Sequence, residues 1–215
     1  MRSDDDLHTP ARIRNAAVIR FGQDGFAVGL RAIAVEVGVS PALVLHHFGS
    51  KAGLREACDE YVLRTYTELK LDIVGSAGPE HMLAQLAARE EHAPIAAYVV
   101  TSLLAGGSFA RTLAEGMTDS TEAYLEEGVL TGSIRPSRDP RGRARYLTYS
   151  GLGMALLSYR LQADEKGSVD FAAALSSITD AIMVPALELY SSGLFTDSRY
   201  LDAYDAATTP DPGEP

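Results

Sequence analysis

The side chains with the most chemical content fall between Leu30 and Lys51, in the run LRAIAVEVGVSPALVLHHFGSK. Arg31 carries a guanidinium, Ser40 a hydroxyl, His46 and His47 imidazoles, and Lys51 an ammonium. Such donors suit hydrogen bonds to phosphate oxygens and to base edges. Other reactive groups are sparse. Cys58 is the one cysteine, so a disulfide scaffold and a zinc ribbon are both excluded. It is read as a buried inert thiol, with a redox sensor as the alternative. His81 and the run Glu90-Glu91-His92 invite a metal reading, but their spacing matches no standard site and a solvated helix face fits better. Glycine-rich phosphate loops, G-x-S-x-G and H-E-x-x-H are absent. No cofactor is expected and no catalytic residue is assigned.

The elements that must position these donors read as helices. Leu30 to Val37 forms a short helix that Gly38 stops by adopting the left-handed conformation. Ser40 caps a second helix and Pro41 takes its first position, with the end near Phe48 and Gly49. Ala34 is small enough for close approach, Val39 plugs the gap between the helices, and Ile33, Val37, Leu43 and Val44 form a shared core. This is a helix-turn-helix pattern, whose second helix enters the DNA major groove with its N-terminal residues toward the bases. Here those are Ser40, Pro41, Ala42 and Leu43, followed by His46 and His47. Small Ala42 lets the helix sit deep and meet a thymine methyl. His47 is open to a second reading, as a packed interfacial residue.

Apolar residues recur every three to four positions along the rest of the chain, and strand alternation is absent. Thr9-Pro10 predicts the start of a first helix with Ile13, Ala16, Ala17 and Phe21 on one face, ended by Gly25. Ser50 caps a long helix from Lys51 to about Val74, and Gly75 to Pro79 predicts a break. Further helices are expected near 79–91, 94–105, 107–130, 140–163 and 169–192, with one short turn around Tyr200 to Tyr204. The longest apolar run is read as Pro94 to Ala105, too short to span a bilayer. The acidic start Met1 to Asp6 is unlike a signal peptide, so the expected location is the cytoplasm, with no membrane partner.

The chain has 215 residues, 46% hydrophobic and 22% charged, with a net charge of −10. That composition excludes disorder for most of the length. The charge is divided unevenly. Residues 9–58 hold six basic and three acidic side chains, and residues 59–215 hold twelve and twenty-three. A basic module on an acidic body suggests that one end meets a polyanion.

Residues 9–55 resemble the DNA-binding domain of TetR-type transcriptional regulators. The likeness rests on Thr9 to Phe21 as first helix, Gly25-Phe26, Arg31-x-Ile33-Ala34, Gly38-Val39-Ser40, His47-Phe48 and Ser50-Lys51. Three positions depart from the family: Gly29 where a hydroxyl residue often caps, Pro41 where a basic or polar residue is common, and Leu45 where a phosphate-contacting tyrosine is frequent. The resemblance implies an all-α protein of about nine helices. It implies a DNA-binding domain over 9–55 and a ligand-binding and dimerisation domain over 56–195; a disordered arm is expected over 1–8, and the proline- and glycine-bearing end predicts a mostly disordered tail over 196–215. It makes Lys51 a phosphate contact, with Arg31 reaching the backbone too. It implies a four-helix homodimer interface from the last two long helices, with Gly151, Ala155, Ile178, Ile182, Pro185 and Leu189 on it. The helices at 94–130 would surround a cavity lined by Tyr98, Thr101, Ser102, Phe109, Arg111, Tyr124, Tyr149 and Met154, suited to a small apolar or amphipathic ligand. Each of these has a plain packing or surface alternative, and Arg111 a surface salt bridge. The implied function is a homodimeric repressor on a palindromic operator in double-stranded DNA, released by a small molecule. The alternatives are a regulator controlled by a protein partner, which a body lacking a cavity of roughly 300 Å³ would favour, and, remotely, an enzyme on a helical scaffold.

Overall fold

A computed structural model of the chain describes residues 4–74, 83–84, 87–88, 90–162 and 169–208. Among the described residues there are nine helices and no strand, as the all-α reading expects. They are α1 (Asp4–Asp24), α2 (Leu30–Glu36), α3 (Pro41–Phe48), α4 (Lys51–Val74), α5 (Ala93–Ala105), α6 (Gly107–Leu130), α7 (Pro140–Gln162), α8 (Phe171–Ser192) and α9 (Arg199–Thr208). Expectations for residues 1–3, the break at 75–79, most of a helix at 79–91, His81 and the tail from 209 fall outside the described residues. The chain divides into two compact units, Met1–Ile178 and Thr179–Pro215.

In the first unit, Ile13, Ala16, Ala17 and Phe21 of α1 are buried, as their spacing requires. The start of α1 is corrected. The helix begins at Asp4, so residues 4–8 are helical and Pro10 lies inside it rather than opening it. Proline's fixed φ is a helical one, and near a helix start it forfeits only its own N–H bond. The Thr9-Pro10 pair is therefore compatible with either start.

α1 meets α5 at Gly22, which brings no side chain to the crossing. A Cβ on Gly22 would lie 3.0 Å from the Tyr98 nitrogen and 3.1 Å from the Ala97 Cβ. Thr101 ties the crossing by donating to the Gly22 carbonyl at 2.9 Å. Behind it, Phe21, Phe26 and Tyr98 pack edge-on and tilted, with ring centroids 5.4–6.4 Å apart.

Hydroxyls join α4, α6 and α7 within the body. Thr67 and Ser120 share a 2.7 Å hydrogen bond, and Thr148 donates to Thr121 at 2.9 Å. Thr121 in turn donates to the Met117 carbonyl at 2.8 Å. Arg141 of α7 pairs with Asp119 and Glu122 of α6 at 2.6 and 2.8 Å. Ser158 of α7 donates to the Ala174 carbonyl of α8 at 3.1 Å.

In the second unit, α8 runs on to Ser192 and Gly193 turns the chain with φ +77°. Asp197 and Arg199 form a forked ion pair at 2.7 Å, and Ser198 bonds Asp202 at 2.7 Å. These close contacts start α9, a helix of ten residues where a single short turn was expected. The reading of Pro94 to Ala105 as the longest apolar run is also corrected. α8 is 22 residues long and, by length and composition, apolar enough to cross a membrane. Asp180 and Glu188 interrupt the run without lowering its average enough. A helix that covers another protein surface meets the same criterion.

The α1–α5 crossing is testable. Gly22→Val should lower the free energy of unfolding by roughly 1–3 kcal/mol, since the added methyls press on backbone rather than on a yielding side chain. Urea unfolding checks this, and an unchanged midpoint would show slack between the helices.

Candidate nucleic-acid interface

The turn between α2 and α3 is built by backbone. Val39 N–H donates to Ala34 C=O at 2.9 Å and Gly38 N–H to Val35 C=O at 3.2 Å, with Gly38 at φ +71°. This paired closure requires a residue that tolerates positive φ. Arg12 of α1 then donates to the Val37 carbonyl at 3.1 Å, which fixes the turn to the first helix. Ser40 Oγ accepts from Leu43 N–H at 3.1 Å and caps α3, with Pro41 at its start. Gly49 (φ +70°) ends α3, and Ser50 Oγ accepts from Gly53 N–H at 3.0 Å to open α4. Ile33, Ala34 and Val44 are fully buried beneath, with Leu54 of α4.

What remains on the surface is one continuous face. Pro41, Ala42, Leu45 and His46 are exposed along α3, and Ser40 and Arg31 are exposed beside them. Leu43, His47 and Lys51 are half-buried. His47 lies 5.4 and 6.4 Å from the rings of its neighbours His46 and Phe48 and is half-buried. Sequence reasoning treated Leu45 as a lost phosphate anchor. The structure places it, 45% exposed, one turn after Pro41 and Ala42, where it makes the face apolar. Val35 on α2 is 72% exposed, opposite buried Ile33 and Ala34.

Most of the module's positive charge is committed internally. Arg12 holds the turn, Arg14 lies 3.9 Å over the Tyr61 ring, and Arg20 pairs with Asp24 at 2.9 Å. Arg55 stacks 3.6 Å over Phe26 and approaches Asp59 at 3.9 Å. Among the described residues of 9–58, Arg31 and Lys51 are the basic side chains left without an intramolecular partner. Arg31 opens α2 and Lys51 opens α4, the helices before and after α3 in the chain.

The expected pocket residues lie outside the described cleft. Tyr98 is fully buried and donates to the Asp59 carboxylate. Ser102 is buried against the Tyr98 carbonyl at 2.8 Å, and Thr101 is engaged by Gly22. Phe109 packs on the core near Arg55, Tyr124 and Met154 are half-buried, and Arg111 and Tyr149 are exposed. Arg111 has no ion-pair partner among the described residues. None of the eight lines a cleft of about 540 Å³ that lies between the end of α1, the start of α5, the end of α7 and the start of α8. The helical phase explains this: Ala93, Pro94 and Ala97 face the cleft, and the neighbouring positions 98, 101 and 102 are spent on hydrogen bonds.

Of the expected interface residues, Gly151, Pro185 and Leu189 are exposed and Ile182 is half-buried. Ala155 and Ile178, also half-buried, line a small hollow where α7 packs on α8. α8 stays helical through Pro185. Cys58 is fully buried with its Sγ 3.7 Å from the Arg14 carbonyl, and burial pushes the thiol up to about 12, so it holds its proton at neutral pH.

Comparison with known proteins matches this geometry. Residues 13–58 fit the family described as bacterial regulatory proteins, tetR family, and residues 90–196 fit the tetracyclin repressor-like C-terminal domain. The HTH-type transcriptional regulatory protein RaaS of Mycobacterium tuberculosis is 46% identical over 199 residues, which cover 93% of this chain and 92% of that protein. The chain belongs to the TetR family. It is a transcriptional regulator with a helix-turn-helix DNA-binding domain, from a family that is not enzymatic. Two solved structures share the fold. A TetR-family regulator from Pectobacterium atrosepticum has a TM-score of 0.55 at 23% identity and covers 91% of this chain and 99% of its own. A second, described as the molecular basis for control of antibiotic production by bacterial hormones, has a TM-score of 0.58 at 21% identity, with 85% and 98% covered.

Asp59 gives this TetR-family chain a measurable pH signature. Its side chain is 15% exposed. Burial raises its pKa from 3.8 to about 6, against the lowering effects of the Tyr98 hydrogen bond and Arg55. The folded state therefore holds this proton more tightly than the unfolded one. The resulting stability is fully present below pH 3.8 and is lost as pH rises through about 6. Wild type should gain on Asp59→Asn, by on the order of 2 kcal/mol, between pH 7.5 and 4. Paired urea midpoints across that range check it, and a constant difference would mean a well-solvated carboxylate.

Proposed function

We propose that the protein is a homodimeric repressor that reads a palindromic operator through residues 30–51 and lets go of it when a small molecule binds the body. The observation that carries the DNA reading is the free face of α3, capped by Ser40 and flanked by Arg31 and Lys51 as the module's uncommitted cations. The N-terminal half of α3 suits base edges, with Ala42 and Leu45 offering apolar contact to thymine methyls. The two cations position the module on phosphates and carry no sequence information themselves.

The exposed apolar surface supports self-association. Tyr146, Tyr149, Gly153, Leu157 and Leu161 are all exposed along α7 at three- to four-residue steps. In the second unit Val184, Leu189, Tyr190, Leu194 and Phe195 are exposed as well. Surfaces of this kind mark protein–protein contacts, and a helix seam of small and large residues suits a bundle with a second copy. A twofold dimer presents two α3 helices to successive major grooves, which makes the site a palindrome. The proposed domains are the DNA-binding module over 9–55 and a ligand and dimer region over 56–195, with α4 leading from Lys51 out of the module as the lever. A cleft of 540 Å³ exceeds the roughly 300 Å³ a ligand pocket needs. That favours control by a small molecule over control by a protein partner.

Selection from a random duplex library at about 150 mM salt should enrich a palindrome. On that duplex, the two cations of each protomer set a slope of log affinity against log salt of about −4, and Lys51→Ala should reduce it by about 2 with both half-sites occupied. An intact dimer that enriches no sequence would defeat the proposal.

A further inference from the structure

The surface that α3 offers is poor in hydrogen-bonding groups. Its exposed side chains are Pro41, Ala42, Leu45 and His46, two neighbouring pairs one turn apart that form a single stripe. Three of the four are hydrocarbon. Val44 is fully buried and Leu43 half-buried, so neither adds to the stripe. Ser40, at the head of the helix, uses its Oγ to accept from Leu43 N–H at 3.1 Å, and Pro41 brings no N–H of its own. His46 is the one exposed α3 side chain that can exchange hydrogen bonds with a base edge. Leu45, 45% exposed, is the largest of the hydrocarbon three and reaches two carbons beyond the methyl of Ala42.

In the major groove, a hydrocarbon side chain finds its apolar contact in the C5 methyl of thymine. That methyl is all that separates thymine from uracil. 5-Methylcytosine carries the same methyl at the same place, beside the hydrogen-bonding edge of cytosine. Leucine neither donates nor accepts, so it responds to the methyl and not to the O4 or N4 next to it.

We infer that Leu45 makes α3 a reader of pyrimidine 5-methyl groups, so that the operator position it faces prefers thymine to uracil and 5-methylcytosine to cytosine. The inference rests on the reading of α3 as the groove-entering helix. It adds the chemical class recognised there, a 5-methylated pyrimidine, and the residue that recognises it. It also has a consequence: methylation of a cytosine at that position tightens binding without any change of sequence.

The test uses the full chain and the duplex enriched by selection, at about 150 mM salt. Each thymine of a half-site is replaced in turn by uracil, which removes one methyl and leaves pairing intact. One position should lose about fourfold in affinity, equivalent to roughly 0.8 kcal/mol for one buried hydrocarbon group, and about fifteenfold with both half-sites changed. At the same position 5-methylcytosine should bind about fourfold tighter than cytosine. Leu45→Ala, at an exposed position where alanine favours the helix, should still bind the duplex and erase both differences there. A scan that finds no sensitive thymine overturns the inference and leaves the DNA reading intact. Sensitivity that survives Leu45→Ala, or 5-methylcytosine binding no tighter than cytosine, does the same. An intact dimer that enriches no duplex overturns the DNA reading and this inference together.

Discussion

The structure depends on giving the Tyr98 hydroxyl an acceptor inside the core. Tyr98 is fully buried, and an unpaired phenol there would cost the full desolvation of the group. The acceptor is Asp59, which brings a second polar group into the same region and has to be compensated in its turn. Arg55 does this one helical turn away, and its own apolar face is covered by Phe26. One buried hydroxyl thus fixes α5 against α4, and through Phe26 it fixes the loop that leads from α1 to α2. Burial drives the Tyr98 pKa upward, so the phenol stays a donor at any pH at which the chain is folded.

The DNA-binding module sits on this arrangement and inherits its rigidity. Arg12, Arg14, Arg20 and Arg55 look in the sequence like a basic patch, yet Arg12, Arg14 and Arg55 hold one element to another or to a ring, and Arg20 pairs with Asp24 in its own helix and at 3.9 Å with Glu36 of α2. Interior positioning and phosphate contact compete for the same side chains. The competition leaves an α3 face on which Pro41, Ala42 and Leu45 are exposed beside His46. In the proposed DNA reading, specificity from such a face would lean on methyl contacts and on groove shape, and less on paired hydrogen bonds.

The turn was legible in the sequence because its causes are local. Gly38, Ser40, Pro41, Gly49 and Ser50 each act within three or four residues, and the structure puts each in the role its type requires. The α5 surface was not legible in the same way. Tyr98, Thr101 and Ser102 read as polar groups in an apolar helix, which describes a pocket lining and a buried hydrogen-bonded seam equally well. The choice between them is made by Gly22 and Asp59, 76 and 39 positions away from Tyr98 in the chain, and no local pattern contains it. The start of α1 failed for another reason: proline near a helix start satisfies two registers, and the choice comes from residues before it.

Charge segregation then decides how such a module can meet DNA at all. With a surplus of eleven carboxylates over residues 59–215, the chain as a whole is repelled by a polyanion. At physiological salt that repulsion is screened beyond about 8 Å. Body carboxylates farther than this from the phosphates hardly alter the affinity of a docked module, but at lower salt they bias which end approaches first. In the proposed reading, affinity is therefore set by the few uncommitted donors at the interface, and orientation by the many acidic groups away from it. The −10 net charge weighs against DNA binding only when it is averaged over a molecule whose charges act in different places.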